Sequence, residues 1–185
     1  ETFLDRHIGV ADIQALAAPG ENKIEVVVDV FDARFELEPI YLLGDFAVEE
    51  SDAGWVIVPP KPLAMGAWGE SGLPFYPYAV VYEYAATLVE APRAARLSLS
   101  GHEATAVSVC INGAYAGLLN ADGARPVDIA AFLRPGENRI AIRVSGGLKN
   151  LFGPHFHTAR GSARPGMWTI APTGVPARAA YDFIP

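Results

Sequence analysis

Carboxylates, imidazoles, one thiol and a group of large aromatic rings are the residues of this chain with chemistry to offer. The acidic candidates are Glu36, Glu38, Asp45, Glu49, Glu50, Asp52, Glu70, Glu83 and Glu103. Cleaving a glycoside needs two carboxylates roughly 5–10 Å apart across a cleft, and spacing along a chain does not pair them. Glu49-Glu50-Ser51-Asp52 reads more simply as a solvated acidic turn. Glu83 alternates with Tyr82 and Tyr84, which places it on the wet side of a strand. Asp12 and Asp128 read as caps of short helical turns.

His155 and His157 form an H-x-H pair, which on a strand would set both imidazoles on one face as metal ligands. No third ligand stands beside them, so a structural or interface role is expected, with no metal and no cofactor. Cys110 is the single cysteine, which excludes an internal disulfide and a cysteine-based zinc site. Nothing beside it in sequence would activate it as a nucleophile, so it reads as a buried, inert thiol. The chain has no serine elbow, phosphate-cradling glycine loop or HExxH pattern.

The aromatic rings are the remaining candidates. Sugars present C–H faces that stack on exposed rings, and Trp55, Trp68, Tyr76, Tyr78 and Trp168 are suited to such a platform. The competing reading is burial in a core or an interface, where aromatics contribute most of their area. Trp68 stands apart, because Gly66-Ala67-Trp68-Gly69 gives its ring little local reason to be buried. Trp68, Tyr76, Tyr78 and Trp55 are therefore the expected carbohydrate-contacting residues, and no catalytic residue is expected.

Composition limits what these groups can serve. Lys and Arg number 14 against 21 Asp and Glu, a net charge of −7. An acidic chain without a basic tract is poorly matched to a phosphate backbone, so no nucleic-acid partner is expected. Apolar runs are broken by charge or proline too early for a membrane-spanning helix, and no leader peptide is visible. No membrane partner is expected either. Gly 18 and Pro 15 favour many turns over long helices.

The elements that would position the rings alternate with period two. Ile24, Val26, Val28 and Val30 form one set, and Leu97 and Leu99 a second. Val107, Val109 and Ile111 form a third, and Ile140, Ile142 and Val144 a fourth. Each is expected on a strand that buries one face. Ile40–Leu43, Trp55–Val58, Ala79–Tyr84 and Ala180–Ile184 are further strand candidates. Asn112-Gly113 between two such runs signals a two-residue hairpin. Many short antiparallel strands imply an all-β sandwich.

The chain also repeats itself. Residues 12–28 read DIQALAAPGENKIEVVV and residues 128–144 read DIAAFLRPGENRIAIRV, 116 positions apart, with 9 of 17 identical. In both copies an aspartate caps a turn, a proline stops it, and a glycine takes the conformation of the reversal. A strand is expected to leave from the isoleucine. Such a long offset suits two sandwich modules in tandem rather than a solenoid. On this reading residues 1–34 are the C-terminal strand segment of a preceding module, or a docking arm, and residues 35–185 a second module.

The run Val109-Cys110-Ile111-Asn112-Gly113-Ala114-Tyr115-Ala116-Gly117 precedes Val127-Asp128-Ile129 and Leu133-Arg134-Pro135-Gly136-Glu137-Asn138. This order resembles the galactose-binding-like jelly-roll modules of large bacterial glycoside hydrolases, of the family 2 and α-L-rhamnosidase-like type. Glu38–Phe46 resembles the lead-in to such a module. Gly72–Tyr76 running into Val80–Glu83 resembles its early core strand. Leu148–His155 resembles the segment after its strand at Ile140–Val144, and Ala180–Pro185 its final strand.

The resemblance implies a jelly roll, with catalysis left to a separate barrel domain. The expected function is thus a non-catalytic accessory module of a multidomain glycoside hydrolase. Its expected partners are carbohydrate and the catalytic domain of the parent enzyme, in a soluble bacterial protein. The alternatives are an autonomous carbohydrate-binding module or a small jelly-roll polysaccharide-active enzyme.

Overall fold

The computed structural model describes residues 2–3, 5–30, 40–52, 54–121, 123 and 125–152. The chain divides into two compact units, Glu1–Leu43 and Gly44–Pro185. The described residues are almost entirely β and irregular. Their one helical element is a 3-10 turn at Ala130–Phe132, and none of their helices is long and apolar enough to cross a membrane.

The first unit holds the antiparallel pair β1 (Thr2–Phe3) and β2 (Asp5–Gly9). Neither strand was visible as a period-two pattern. The expected strand over Ile24–Val30 is not formed: residues 21–28 are irregular and 29–30 a bend, and every residue from Gly9 to Val30 is exposed. The physical reason is that a strand exists only through a neighbour's ladder. Ile40–Leu43 is likewise irregular rather than a strand.

The second unit is an antiparallel β-sandwich. Its strands are β3 (Ala47–Ser51), β4 (Gly54–Val58), β5 (Ala79–Leu88), β6 (Arg96–Leu97), β7 (Ala106–Ile111), β8 (Ala114–Leu119), β9 (Val127–Asp128) and β10 (Gly136–Ser145). The main sheet has the order β5-β10-β7-β8, while β3-β4 and β6-β9 form two-stranded ribbons. Asn112 and Gly113 join β7 to β8 with φ of 52° and 84°, the left-handed pair that a two-residue hairpin demands.

Register decides the faces. Ile140 lies opposite both Ile111 and Tyr84, and Ile142 opposite both Val109 and Tyr82. Directly opposed residues share a face, so these side chains lie on one side of the sheet, buried at Val109 and Ile111 and exposed at Tyr84 on the edge strand β5. Val107, Val109 and Ile111 are fully buried, with Leu119 and Ile129 beside them. Ile140, Ile142 and Val144 flank that cluster within the main sheet, and Leu97, Leu99 and Val127 pack against it from outside that sheet. Leu99 does so from outside a strand, since β6 ends at Leu97.

The other face of the main sheet carries Glu83, Cys110, Ala141, Arg143 and Arg139. Cys110 is therefore only partly buried, because the same alternation that buries Val109 and Ile111 turns it outward. Glu83 is exposed as expected and faces Arg139 at 3.8 Å. Glu49, Glu50 and Ser51 belong to β3 rather than to a turn, with Glu49 paired to Lys61. The strand expected at Ala180–Ile184 lies outside the described residues.

Candidate carbohydrate-contact site

Trp55 lies on β4 itself, while the loop between β4 and β5 positions Trp68, Tyr76 and Tyr78. It folds into successive tight turns: the Ser71 and Leu73 N–H groups donate to the Trp68 carbonyl at 3.1 and 2.9 Å, and Tyr76 N–H donates to the Leu73 carbonyl at 3.3 Å. Gly72 fastens the loop to β3. Its carbonyl accepts from Val48 N–H at 2.8 Å, its φ is +82°, and a Cβ there would lie 2.6 Å from that of Ala47. A side chain at 72 would meet both a strained backbone and an occupied space.

Trp68 is half-buried rather than presented free on its loop. Its indole N–H donates to the Tyr82 hydroxyl at 3.1 Å, and that hydroxyl donates to the Ala64 carbonyl at 3.4 Å. The indole also lies over Gly146, where a Cβ would come within 2.9 Å of Trp68 Cζ3. The flanking Gly66 and Gly69 do not expose the ring. The glycine that matters is Gly146, at the far end of β10, which leaves room for the ring.

Trp68 then meets Tyr76 edge-on, with centroids 6.0 Å apart, and Tyr76 meets Tyr78 at 5.6 Å. Three of the four expected residues thus form one line of edge-to-face rings. Trp55 instead packs edge-on against Phe75 at 4.9 Å. Tyr76, Tyr78 and Trp55 are exposed, Tyr78 most of all at 51%. Trp168, His155 and His157 lie outside the described residues.

A small cleft of about 40 Å³ opens along this line, lined by Trp68, Leu73, Pro74, Tyr76, Gly146 and Asn150. Asn150 Nδ2 donates to the Pro74 carbonyl at 3.0 Å, which ties the segment after β10 to the aromatic loop. Asn150 was not among the expected residues. Its contact spans 76 positions of the chain and has no local signal.

A second, open concavity of about 410 Å³ lies on the outer face of the main sheet, lined by Glu83, Cys110, Asn112, Arg134, Arg139 and Ala141. Its residues come from β5, the β7–β8 hairpin, β10 and the segment that leads into it. The sequence signal for it was the pairing of Asn112-Gly113 with PGEN, visible as two turns but not as neighbours. No family model, curated protein or solved structure matches the chain.

Proposed function

We propose that the chain is a non-catalytic accessory module of a multidomain glycoside hydrolase, of the galactose-binding-like jelly-roll type. On this reading it contacts carbohydrate through Tyr76 and Tyr78, with Trp68 behind them. The observation that carries the proposal is the line of three rings beside a cleft, on a β-sandwich whose motif order resembles those modules. Exposed tyrosine rings offer the C–H faces of a sugar a stacking surface, and Asn150 is the polar side chain lining the cleft beside them. Stacking on so small a site gives weak affinity.

The test is titration of the chain against a panel of mono- and oligosaccharides. Binding is expected in the millimolar range, lost at least tenfold in Tyr78→Ala. That variant is preferred because Tyr78 is exposed, whereas Trp68→Ala also removes packing. No binding at tens of millimolar would reject the carbohydrate contact and leave a scaffold role beside a catalytic domain. Micromolar binding by the chain alone would instead favour an autonomous binding module. Turnover of aryl glycosides that disappears in Glu83→Gln or Glu103→Gln would reject the non-catalytic reading.

A further inference from the structure

The two copies of the repeat fold locally into the same object, and only one has its surroundings. In the second copy, Asn138 Oδ1 accepts from Arg134 N–H at 2.9 Å, and its Nδ2 donates to the Arg134 and Gly136 carbonyls at 2.7 and 3.1 Å. In the first, Asn22 Oδ1 accepts from Ala18 N–H at 2.9 Å, and its Nδ2 donates to the Ala18 and Gly20 carbonyls at 2.7 and 3.0 Å. Gly136 and Gly20 have φ of +86° and +97°. Asp128 and Asp12 each accept from the N–H two residues on, at 3.1 and 2.9 Å. The correspondence is atom for atom.

In the second copy this turn is a socket for an asparagine. Asn112, at the tip of the β7–β8 hairpin, donates through Nδ2 to the Phe132 carbonyl and to Asn138 Oδ1, both at 2.9 Å. Its Oδ1 accepts from Arg139 N–H at 3.0 Å, and its own N–H donates to the Arg139 carbonyl at 2.8 Å. The equivalent groups of the first copy are the Leu16 carbonyl, Asn22 Oδ1 and the N–H and carbonyl of Lys23. All belong to exposed residues. Ile24, Val26 and Val28, the counterparts of inner-face Ile140, Ile142 and Val144, are 48%, 64% and 43% exposed.

We infer that residues 12–28 are the closing element of a second β-sandwich of the same kind, and that their occupant is a β-hairpin bearing an asparagine at its turn. That hairpin belongs to a sandwich module elsewhere in the longer polypeptide, short of its own counterpart of β10. The hairpin seats its asparagine on Asn22 and Lys23 and lays its apolar strand face on Ile24, Val26 and Val28. The inference is independent of the carbohydrate reading.

The test grafts the first copy into the second, in the full chain. The eight differing positions are changed together: Ala130→Gln, Phe132→Leu, Leu133→Ala, Arg134→Ala, Arg139→Lys, Ala141→Glu, Ile142→Val and Arg143→Val. Glu83→Gln is present in every background, because Ala141 lies directly opposite Glu83 and two carboxylates would otherwise repel. A shorter graft carries only the four changes from Arg139 to Arg143 and keeps the original turn. The short graft is expected to unfold cooperatively, and the long one to do so with Tm lowered by roughly 10–20 °C.

Asn112→Ala should lower Tm equally, within about 2 °C, in the short graft and the ungrafted chain. Failure of the short graft to fold, or indifference of its Tm to Asn112→Ala, overturns the inference. Failure of the long graft alone still supports it for the strand and the lysine side of the socket. Sedimentation of the unaltered chain is expected to give a monomer. A dimer that Val26→Lys dissociates would assign the face to a second copy of this chain and overturn the proposed occupant.

Discussion

Residues 12–28 and 128–144 carry the same turn with the same hydrogen bonds, yet one is exposed throughout while the other closes a core. Asn138 is 0% exposed, whereas Asn22 lies in open solvent. Ile140 is flanked on both sides, by β5 and β7, whereas Ile24 is in no strand. The difference teaches that the Pro-Gly-Glu-Asn turn is a local structure that closes on itself, through bonds spanning two to four residues. The strand after it is not local. Its N–H and C=O groups need a neighbouring chain segment, and without one they are left to water.

The largest contrast is expected at the paired isoleucines. Ile140→Ala removes methyl groups packed on the central cluster and should cost about 2–4 kcal/mol in urea unfolding. Ile24→Ala, a change of the same residue at the same repeat position, should stay within about 0.5 kcal/mol. Comparable losses at both sites would mean that the first copy is packed in solution, and would break the comparison.

The paired asparagines come next. Asn138→Ala strips partners from Arg134 and from Asn112 at a fully buried position, and should cost about 1–3 kcal/mol. Asn22→Ala should leave the unfolding midpoint unchanged. Its effect belongs in the amide shifts of residues 18–24, read by NMR, as the local turn loosens.

The paired glycines sharpen the argument, because their surroundings are alike. Neither Gly136 nor Gly20 has an atom within 4 Å of where a Cβ would stand, so only the left-handed backbone resists substitution. Gly136→Ala should cost about 1–2 kcal/mol. Gly20→Ala should shift the local turn population by a similar amount without moving the global transition. A much larger loss at Gly136 would show a packing role that its open surroundings do not provide.

The smallest effect is expected at the charges. Glu83 and Arg139 stand 3.8 Å apart with more than half of each side chain in solvent. Lys23 and Glu25 are 3.0 Å apart and still more exposed. Glu83→Gln and Glu25→Gln should each change stability by less than about 0.5 kcal/mol, and by less still in high salt.

Much of the sandwich is legible in the amino-acid sequence. The alternation at Val107–Ile111 and Ile140–Val144 named the inner face, and Asn112-Gly113 named the hairpin, because both depend on the period of a strand and the φ of two residues. Asp12 and Asp128 were expected as helix caps; each instead bonds the N–H two residues on, and the 3-10 turn is capped at Ile129 without a side-chain bond. The candidate site is less legible. Tyr76 and Tyr78 are exposed as a stacking platform requires, but the contact of Trp68 with Tyr82 and Gly146 joins three distant segments. Nothing in the Gly66–Gly69 stretch encodes that. The outer concavity was missed because its Arg134, Arg139 and Glu83 come together only through strand register.

What the sequence by itself determined is whatever closes within about five residues: the repeated turns, the hairpin, the alternation that gives each strand an apolar side. Only the tertiary structure decided which apolar sides found a partner, and so which of two near-identical segments became a strand. It also decided that Trp68 would sit half-buried at the head of a line of rings. The physical reason is the reach of the interactions. A turn's hydrogen bonds are satisfied by its own backbone, while a strand's hydrogen bonds and a ring's burial are supplied by residues that the chain must bring from far away.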